Sequence, residues 1–207
     1  MSKSKKLKWN FEEVQLHFGK CDPRVAGLMK SIGPIEFRVH TDHFHALVES
    51  IISQQLSVKA SDTIFRRLLT HCGDALSPQV LAKMKPDAYR VHGISGQKAG
   101  YLIDLAGHFC ADSDRFSHLA ALSDQEVIDA LVDIKGIGEW TAQMFLMFTL
   151  GRMDVFAPGD LGLRNAMMAL YRWKEVPGRE KMINKAKKWA PYRTIACRYL
   201  WRSLNNS

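Results

Sequence analysis

A short glycine turn at Gly136-Ile137-Gly138 is the part of this 207-residue sequence with the clearest chemical meaning. Two glycines allow positive φ angles and leave out the side chains that would keep another backbone away. The exposed N–H groups of such a turn, together with the start of the helix that follows it, suit an anion such as a phosphate. Ile137 between the glycines can pack back and fix the turn.

The residues around the turn narrow its interpretation. A helix that starts with the capping box Ser123-Asp124-Gln125-Glu126 leads into Lys135, and a second helix leaves at once through Thr141-Ala142. This is the helix–hairpin–helix signature, which holds a DNA backbone without reading its sequence. A purely structural turn between two helices is the alternative.

Asp160 is the second candidate for chemistry. It follows a Pro-Gly loop and precedes an amphipathic run of Leu163, Ala166, Met167 and Leu170. A carboxylate at this place caps the helix, and the helix dipole favours its negative charge. The structural role and a chemical role are compatible.

The distribution of charge points to a polyanionic partner. The chain has 29 basic and 21 acidic residues, and the excess lies at its two ends. Residues 1–8 contain four lysines, and residues 172–202 contain ten basic residues against two acidic ones. Nucleic acid is the usual partner of such a surface, and a solvated basic helix is the plain alternative.

Composition excludes several classes of protein. The chain is 46% hydrophobic and 24% charged, which is typical of globular proteins, and no apolar run approaches the ~18–20 residues of a membrane span. No secretory signal is present, so we expect an intracellular protein. The four cysteines lie far apart and predict free thiols without zinc or an iron–sulfur cluster. His40, His43 and His45 lack a carboxylate or thiol that would complete a metal site.

Helical periodicity dominates the elements that must position these residues. Helices are predicted after Asp42, across Ile64–Leu69, from Pro78, across Tyr101–Phe109, after Ser123, over about 139–150, and over about 160–173, 179–189 and 192–204. Only Ile35–Val39 alternates like a strand. The sequence therefore predicts an all-α fold.

Four separated stretches resemble the helix–hairpin–helix DNA glycosylases, within them the 3-methyladenine DNA glycosylase II (AlkA) type. They are the hairpin with its downstream Val-Phe-x-Pro-x-Asp, Ile51-Ile52-Ser53-Gln54-Gln55-Leu56-Ser57, Gly93-Ile94-Ser95-Gly96-Gln97-Lys98-Ala99, and Trp189-Ala190-Pro191-Tyr192-Arg193 with Tyr199-Leu200-Trp201. The similarity runs from about residue 40 to residue 202 and keeps the order of the family's motifs.

The resemblance implies two helical subdomains. One covers 42–150 with the hairpin at about 124–150, and the other combines 1–41 with 151–207. It further implies that DNA and an extruded base lie in a cleft between the two.

The resemblance also implies roles for single residues. Asp160 would stabilise the oxocarbenium-like sugar and orient water. Trp140 and Trp201 would grip an electron-poor base, for which tryptophan is the best aromatic partner. Gln55, or else Leu56, would fill the gap left by the base. A core role for Leu56 and a helix-capping role for the glutamines remain open.

DNA contacts are expected around these residues. They comprise Gln54, Ser57, Lys135, Gly136, Ile137, Gly138 and Thr141. The family's hairpin often holds a monovalent cation, Na⁺ or K⁺, on backbone carbonyls equivalent to Val132, Ile134 and Ile137. No other cofactor is expected.

One position separates this chain from the bifunctional members of the family. Those carry a lysine nucleophile immediately before the Thr-Ala of the hairpin helix, where this chain has Trp140. The resemblance therefore implies hydrolysis without strand cleavage, by a monomer acting on alkylated purines such as 3-methyladenine or 7-methylguanine in double-stranded DNA. The alternatives are a glycosylase for hypoxanthine or etheno adducts, and a non-catalytic DNA-binding module.

Overall fold

A computed structural model describes residues 4–73 and 75–204, and these residues are mainly helical. The elements in chain order are β1 (Ser4–Leu7), α1 (Phe11–Cys21), α2 (Pro23–Ile32), β2 (Phe37–His40), α3 (His43–Ser53), α4 (Val58–His71), α5 (Pro78–Lys83), α6 (Pro86–Val91), α7 (Gly96–Ala111), α8 (Ser113–Ser117), α9 (Asp124–Val132), α10 (Glu139–Phe148), α11 (Leu161–Tyr171), α12 (Arg179–Ala186) and α13 (Arg193–Leu204). The predicted all-α fold class is confirmed. Within the described ranges, no helix is long and apolar enough to cross a membrane.

Side-chain caps begin most of the helices that the sequence predicts. The Asp42 carboxylate accepts a hydrogen bond from the His45 backbone N–H at 3.0 Å. Ser123 and Glu126 form the expected reciprocal capping box. Local hydrogen bonds of this kind satisfy N–H groups that have no partner inside the helix, which is why short sequence signals predict these starts.

Some elements differ from the prediction. The strand expected at Ile35–Val39 is Phe37–His40, and it pairs with the lysine-containing strand Ser4–Leu7. Helix α12 ends at Ala186, earlier than the predicted 189, and continues as a 3-10 turn. Helices α1 and α2 were not predicted, although each places two buried side chains four positions apart on one face.

The chain divides into two compact units. The first is essentially His40–Phe145, and the second joins Lys5–Val39 to the segment from Leu146 onward. In the first unit, α3 and α5 pack against α7. Its core contains Leu47, Ile51, Leu68, Leu102, Leu105 and Leu131, each no more than 1% exposed.

The second unit is built on α13, which packs against α2 and α11. Asp22, at the junction of α1 and α2, is buried there and accepts hydrogen bonds from the Tyr171 hydroxyl and, at 2.9 Å, from the Trp189 indole. The ammonium groups of Lys188 and Lys185 lie 3.3 and 3.7 Å from the same carboxylate. Burial alone would raise the pKa of Asp22, but these donors and cations outweigh it and hold the pKa below its usual range.

Candidate functional site

Asp160 is the N-cap of α11, as the sequence predicts. Its Oδ1 accepts a hydrogen bond from the Leu163 backbone N–H at 2.6 Å and one from the Trp201 indole Nε1 at 2.8 Å. The second bond joins residues 41 positions apart and fixes the carboxylate against α13. Asp160 is half-buried. The carboxylate is thus held from two directions and keeps access to solvent.

Gly162 makes room for this pair. A Cβ at this position would lie 3.1 Å from both Asp160 Oδ1 and Trp201 Cδ1, closer than about nine in ten such contacts in proteins. The small residue therefore allows the indole to reach the carboxylate. Sequence reasoning did not single out Gly162.

Trp201 also forms one wall of a cavity of about 530 Å³ in the second unit. Phe148 lies beside it, with ring centroids 5.9 Å apart and planes inclined by 34°. The other lining residues are Ile32, Pro34, Ile35, Glu36, Arg198 and Arg202. A cavity of this size with aromatic rings and a few polar groups suits a flat heterocycle.

Arg198 is a cavity residue that the sequence analysis counted only as part of a basic segment. Its guanidinium carbon lies 3.9 Å from the Phe37 ring centroid and 5.2 Å from that of Phe148, and its Nη2 donates to the Glu36 carbonyl at 3.1 Å. Burial lowers the pKa of Arg198 from its usual high value. The guanidinium brings positive charge to the cavity wall.

The loop before Asp160 is anchored to the start of α13. Arg193 binds Asp154 with two parallel hydrogen bonds, Nε to Oδ1 at 2.7 Å and Nη2 to Oδ2 at 2.9 Å. The Thr194 hydroxyl donates to the Arg152 carbonyl at 2.7 Å and accepts from the Val155 N–H at 3.0 Å. Paired arginine–carboxylate bonds of this geometry are strong and directional, so this loop has a defined position.

The glycine turn has the predicted positive φ at its first glycine but not at Gly138. Gly136 has φ of +83°, and a Cβ there would lie 2.3 Å from Cδ2 of Tyr101. Only glycine fits both conditions. Ile137 is buried, as expected of a residue that fixes the turn, and Gly138 is exposed immediately before α10 begins.

The other predicted residues of the hairpin, Lys135, Thr141 and Trp140, differ in their exposure to solvent. The Lys135 ammonium lies 3.2 Å from Asp104 Oδ1, and the Lys135 N–H donates to Oδ2 of the same carboxylate at 2.9 Å, although the Lys135 side chain remains 75% exposed. Thr141 is 6% exposed, so little of it is open to an external phosphate. Trp140 is 47% exposed at the start of α10.

The corner Gln54-Gln55-Leu56 connects α3 to α4. Gln55 adopts a left-handed conformation with φ of +57°, which is unusual for a residue with a side chain, and it is exposed. Leu56 is 41% exposed, which argues against a core role. Ser57 caps α4 by accepting from the Ala60 N–H at 3.3 Å.

Lys98, from α7, holds this corner in place. Its ammonium donates to the carbonyls of Ile52 and Gln54, both at 2.6 Å. The Gln54 side chain in turn donates to the Gly136 carbonyl at 2.9 Å, and so joins the corner to the glycine turn. Burial lowers the pKa of Lys98. The sequence contained Lys98 within a recognised motif but did not reveal its partners.

Part of the basic C-terminal segment has internal roles. Lys185 and Lys188 face Asp22, Arg193 binds Asp154, and the Lys181 ammonium lies 4.5 Å from the Trp173 ring centroid. At the N-terminus, Lys6 pairs with Glu36 at 3.2 Å, whereas Lys3 lies outside the described residues. The net charge of the segment therefore overstates what is available to an external polyanion.

The histidines near residue 40 take part in packing. The His43 ring contacts Phe145 and the His45 ring contacts Phe65, with centroids 5.6 and 4.8 Å apart. Across residues 4–73 and 75–204, no three metal-binding side chains come together.

Comparison with known proteins identifies the class. Residues 48–191 match the family model of the HhH-GPD superfamily base excision DNA repair proteins. The match covers more than half of the chain and includes the glycine turn, the corner and Asp160. The chain belongs to this superfamily.

Individual relatives are similar over most of the chain. A crystal structure of a DNA-3-methyladenine glycosidase from Bacillus halodurans superposes with a TM-score of 0.84 at 35% identity and covers 97% of this chain and 92% of its own. The 3-methyladenine DNA glycosylase of Schizosaccharomyces pombe in complex with abasic DNA gives 0.81 at 28% identity, covering 93% and 97%. DNA-3-methyladenine glycosylase 1 of the same yeast is 30% identical over 92% of this chain and 86% of the relative. The chain spans 58% of a longer Bacillus subtilis relative, with which it shares 31% identity.

Proposed function

We propose that this protein is a monofunctional DNA glycosylase that hydrolyses the N-glycosidic bond of alkylated purines extruded from duplex DNA. The observation that carries the proposal is the pair formed by Asp160 and Trp201, which joins a half-buried carboxylate to the wall of an aromatic cavity. The names of the relatives support the same substrate class.

In the proposed reaction, Asp160 acts on the sugar and the attacking water, whereas Trp201 binds the base. As the base departs, positive charge develops on the sugar, and a fixed carboxylate stabilises that charge and orients the attacking water. A methylated purine is already cationic, so its departure needs little help from an acid. The Trp201 ring offers this electron-poor base a face for stacking and cation–π attraction.

The glycine turn and the corner serve the DNA rather than the reaction. Backbone N–H groups of the turn, with Lys135 beside them, suit the phosphates next to the lesion. Extrusion of a base costs a few kcal/mol, and a side chain that fills the gap offsets part of that cost. Gln55 is our first candidate for this wedge because it is exposed at a strained tip, and Leu56 is the second.

No cofactor enters the proposed reaction. The carbonyls of Val132, Ile134 and Ile137 are compatible with a structural Na⁺ or K⁺: Ile134 already accepts from the Ile137 N–H at 3.1 Å, and a carbonyl oxygen has a second lone pair. Such an ion would rigidify the turn. We further propose that the protein acts as a monomer.

The absence of a lysine at position 140 predicts that the abasic strand is not cut. Incubation of the pure protein with abasic DNA and borohydride should give no trapped adduct. A covalent adduct would show that the protein is bifunctional.

Arg198 favours a second candidate substrate. A guanidinium at the cavity wall repels a cationic purine and can donate to a neutral base with a carbonyl oxygen, as in hypoxanthine. DNA carrying methylated purines, hypoxanthine and etheno adducts, analysed for the free bases released, tests both possibilities. We expect 3-methyladenine as the main product. Release of hypoxanthine alone would replace the proposed substrate, and release of no base would leave only a DNA-binding module.

A further inference from the structure

A second cavity, of about 510 Å³, lies in the first unit and is lined by Thr63, Arg66, Arg67, Thr70, His71 and His92. We propose that this cavity binds a backbone phosphate of the same duplex DNA, several base pairs from the lesion. The inference rests on the proposed function, because it takes DNA as the partner.

The chemistry of the cavity suits an anion. Five of its residues recur on one face of α4 with helical spacing, and His92 comes from the end of α6. Among the described residues, no carboxylate lines the cavity. Within the described part of the chain, neither Arg66 nor Arg67 has an ion pair with an acidic side chain.

This concentration of positive charge stands out in its surroundings. By sequence, His40–Phe145 contains nine lysines and arginines against thirteen acidic residues. Two adjacent arginines with two histidines are therefore a local exception in an acidic unit. Arginines that are merely solvated on an exposed helix face would not need to share a cavity with a histidine from a second helix.

His92 contributes a ring nitrogen without a protein partner. The residue is half-buried, and its Nε2 is one of six buried side-chain atoms among the described residues that have no hydrogen-bond partner in the protein. The His71 and His92 ring centroids lie 4.7 Å apart. Burial, His71 and Arg67 together lower the pKa of His92, and a bound phosphate would counteract the effect of the neighbouring positive charges.

The position of the cavity favours DNA as the source of the phosphate. Helix α4 begins at the corner that we place against the DNA, and Arg66 lies about 12 Å along the helix axis from Val58 at ~1.5 Å per residue. His92 is followed directly by Gly93, where a Cβ would lie 3.4 Å from Ile64 Cγ1. Gly93 and Ile64 line a separate cavity of about 230 Å³ together with Gln55 and Leu56. A duplex advances ~3.4 Å per base pair, so the phosphate would lie within three or four base pairs of the lesion.

The test measures the salt dependence of binding to a fluorescent duplex that carries a stable abasic analogue. Arg66→Gln with Arg67→Gln removes both charges and preserves helix propensity. Each lost phosphate contact makes the slope of log K against log salt shallower by about 0.9, and it weakens binding in about 0.1 M salt by roughly tenfold. For the one phosphate proposed, we therefore expect a slope change of about 0.9.

Lys83→Ala with Lys85→Ala is the matched control, because it removes two exposed positive charges from the same unit outside the cavity. It should leave the slope within error of the wild type. Two further duplexes each keep only two base pairs on one side of the lesion, one duplex for each side. Only one of the two should abolish the difference in slope between the arginine variant and the wild type.

The possible results separate the two proposals. If Lys135→Gln weakens binding while the arginine variant keeps the wild-type slope, the second phosphate site is refuted and the proposed function stands. Equal slope changes in the arginine variant and the lysine control would show a general charge effect and also refute the site. A wild type without salt-dependent binding would refute the proposed function itself.

Discussion

The hydrogen bond from Trp201 to Asp160 should contribute measurably to catalysis. Trp201→Phe keeps a smaller aromatic ring in the cavity and removes the indole N–H that donates to Asp160 Oδ1 at 2.8 Å. The carboxylate then keeps the Leu163 N–H but loses the bond that fixes it against α13.

The size of the effect follows from the geometry. A hydrogen bond to a charged group is worth about 1.5–3 kcal/mol, and we take about 1.5–2 because Asp160 is only half-buried. At ~1.36 kcal/mol per factor of ten, the rate of excision should fall by roughly 10- to 30-fold. Trp201→Leu should lose in addition the stacking of the base, worth ~1–3 kcal/mol.

Single-turnover release of 3-methyladenine from methylated duplex DNA, at saturating enzyme, measures this rate. Trp173→Phe is the matched control, since Trp173 stacks on Tyr171 at the opposite end of α11 from Asp160 and belongs to no proposed site. The control should excise at the wild-type rate. If Trp201→Phe excised as fast as the control, or lost activity only through weaker DNA binding, the role assigned to the indole N–H would be wrong.

Three further changes test separate parts of the structure. Gly162→Ala should slow excision, because its Cβ would lie 3.1 Å from both Asp160 Oδ1 and Trp201 Cδ1 and would push the pair apart by a few tenths of an ångström. We expect a loss of roughly three- to tenfold, less than the ~100-fold cost of a ~1 Å misplacement; wild-type excision would contradict the packing argument. Lys98→Met should slow excision from duplex about 10- to 100-fold, with less effect on single-stranded substrate and partial rescue by Lys98→Arg; equal losses on both substrates would refute a positioning role. Asp22→Ala should lower the free energy of unfolding by about 2–6 kcal/mol in urea titrations, because it leaves the Tyr171 and Trp189 donors buried without an acceptor. Since the Asp22 pKa is depressed in the folded state, its stabilisation is complete above the unfolded pKa of about 4 and is lost at lower pH; the variant should show a shallower stability slope between about pH 5 and pH 3, and an unchanged slope would refute this assignment.

Features with local causes could be predicted from the sequence. The caps at Asp42 and Ser123 each bond to a backbone N–H three residues away, and the positive φ of the turn follows from the glycine at position 136. The N-cap position of Asp160 was predictable for the same reason. Strand β1 was not, because its lysine-rich residues become a strand only through pairing with β2, more than 25 positions away.

The contacts that shape the candidate site have long-range causes. The Asp160 carboxylate meets Trp201 across 41 residues, and Lys98 meets the Gln54 carbonyl across 44. Nothing in the local pattern of either segment specifies the partner. The resemblance to known glycosylases indicated which residues matter, whereas their hydrogen bonds, the role of Gly162 and the cavity position of Arg198 required coordinates.

The most direct test of the central proposal is Asp160→Asn, measured for excision and binding on the same methylated duplex. Asparagine keeps the shape and an oxygen that can cap α11 and accept from Trp201, so the fold and the DNA affinity should be retained. We expect the rate of base release to fall by at least a hundredfold with binding nearly unchanged, because only the negative charge is lost. Excision at the wild-type rate by this variant would contradict the assignment of Asp160 as the catalytic carboxylate.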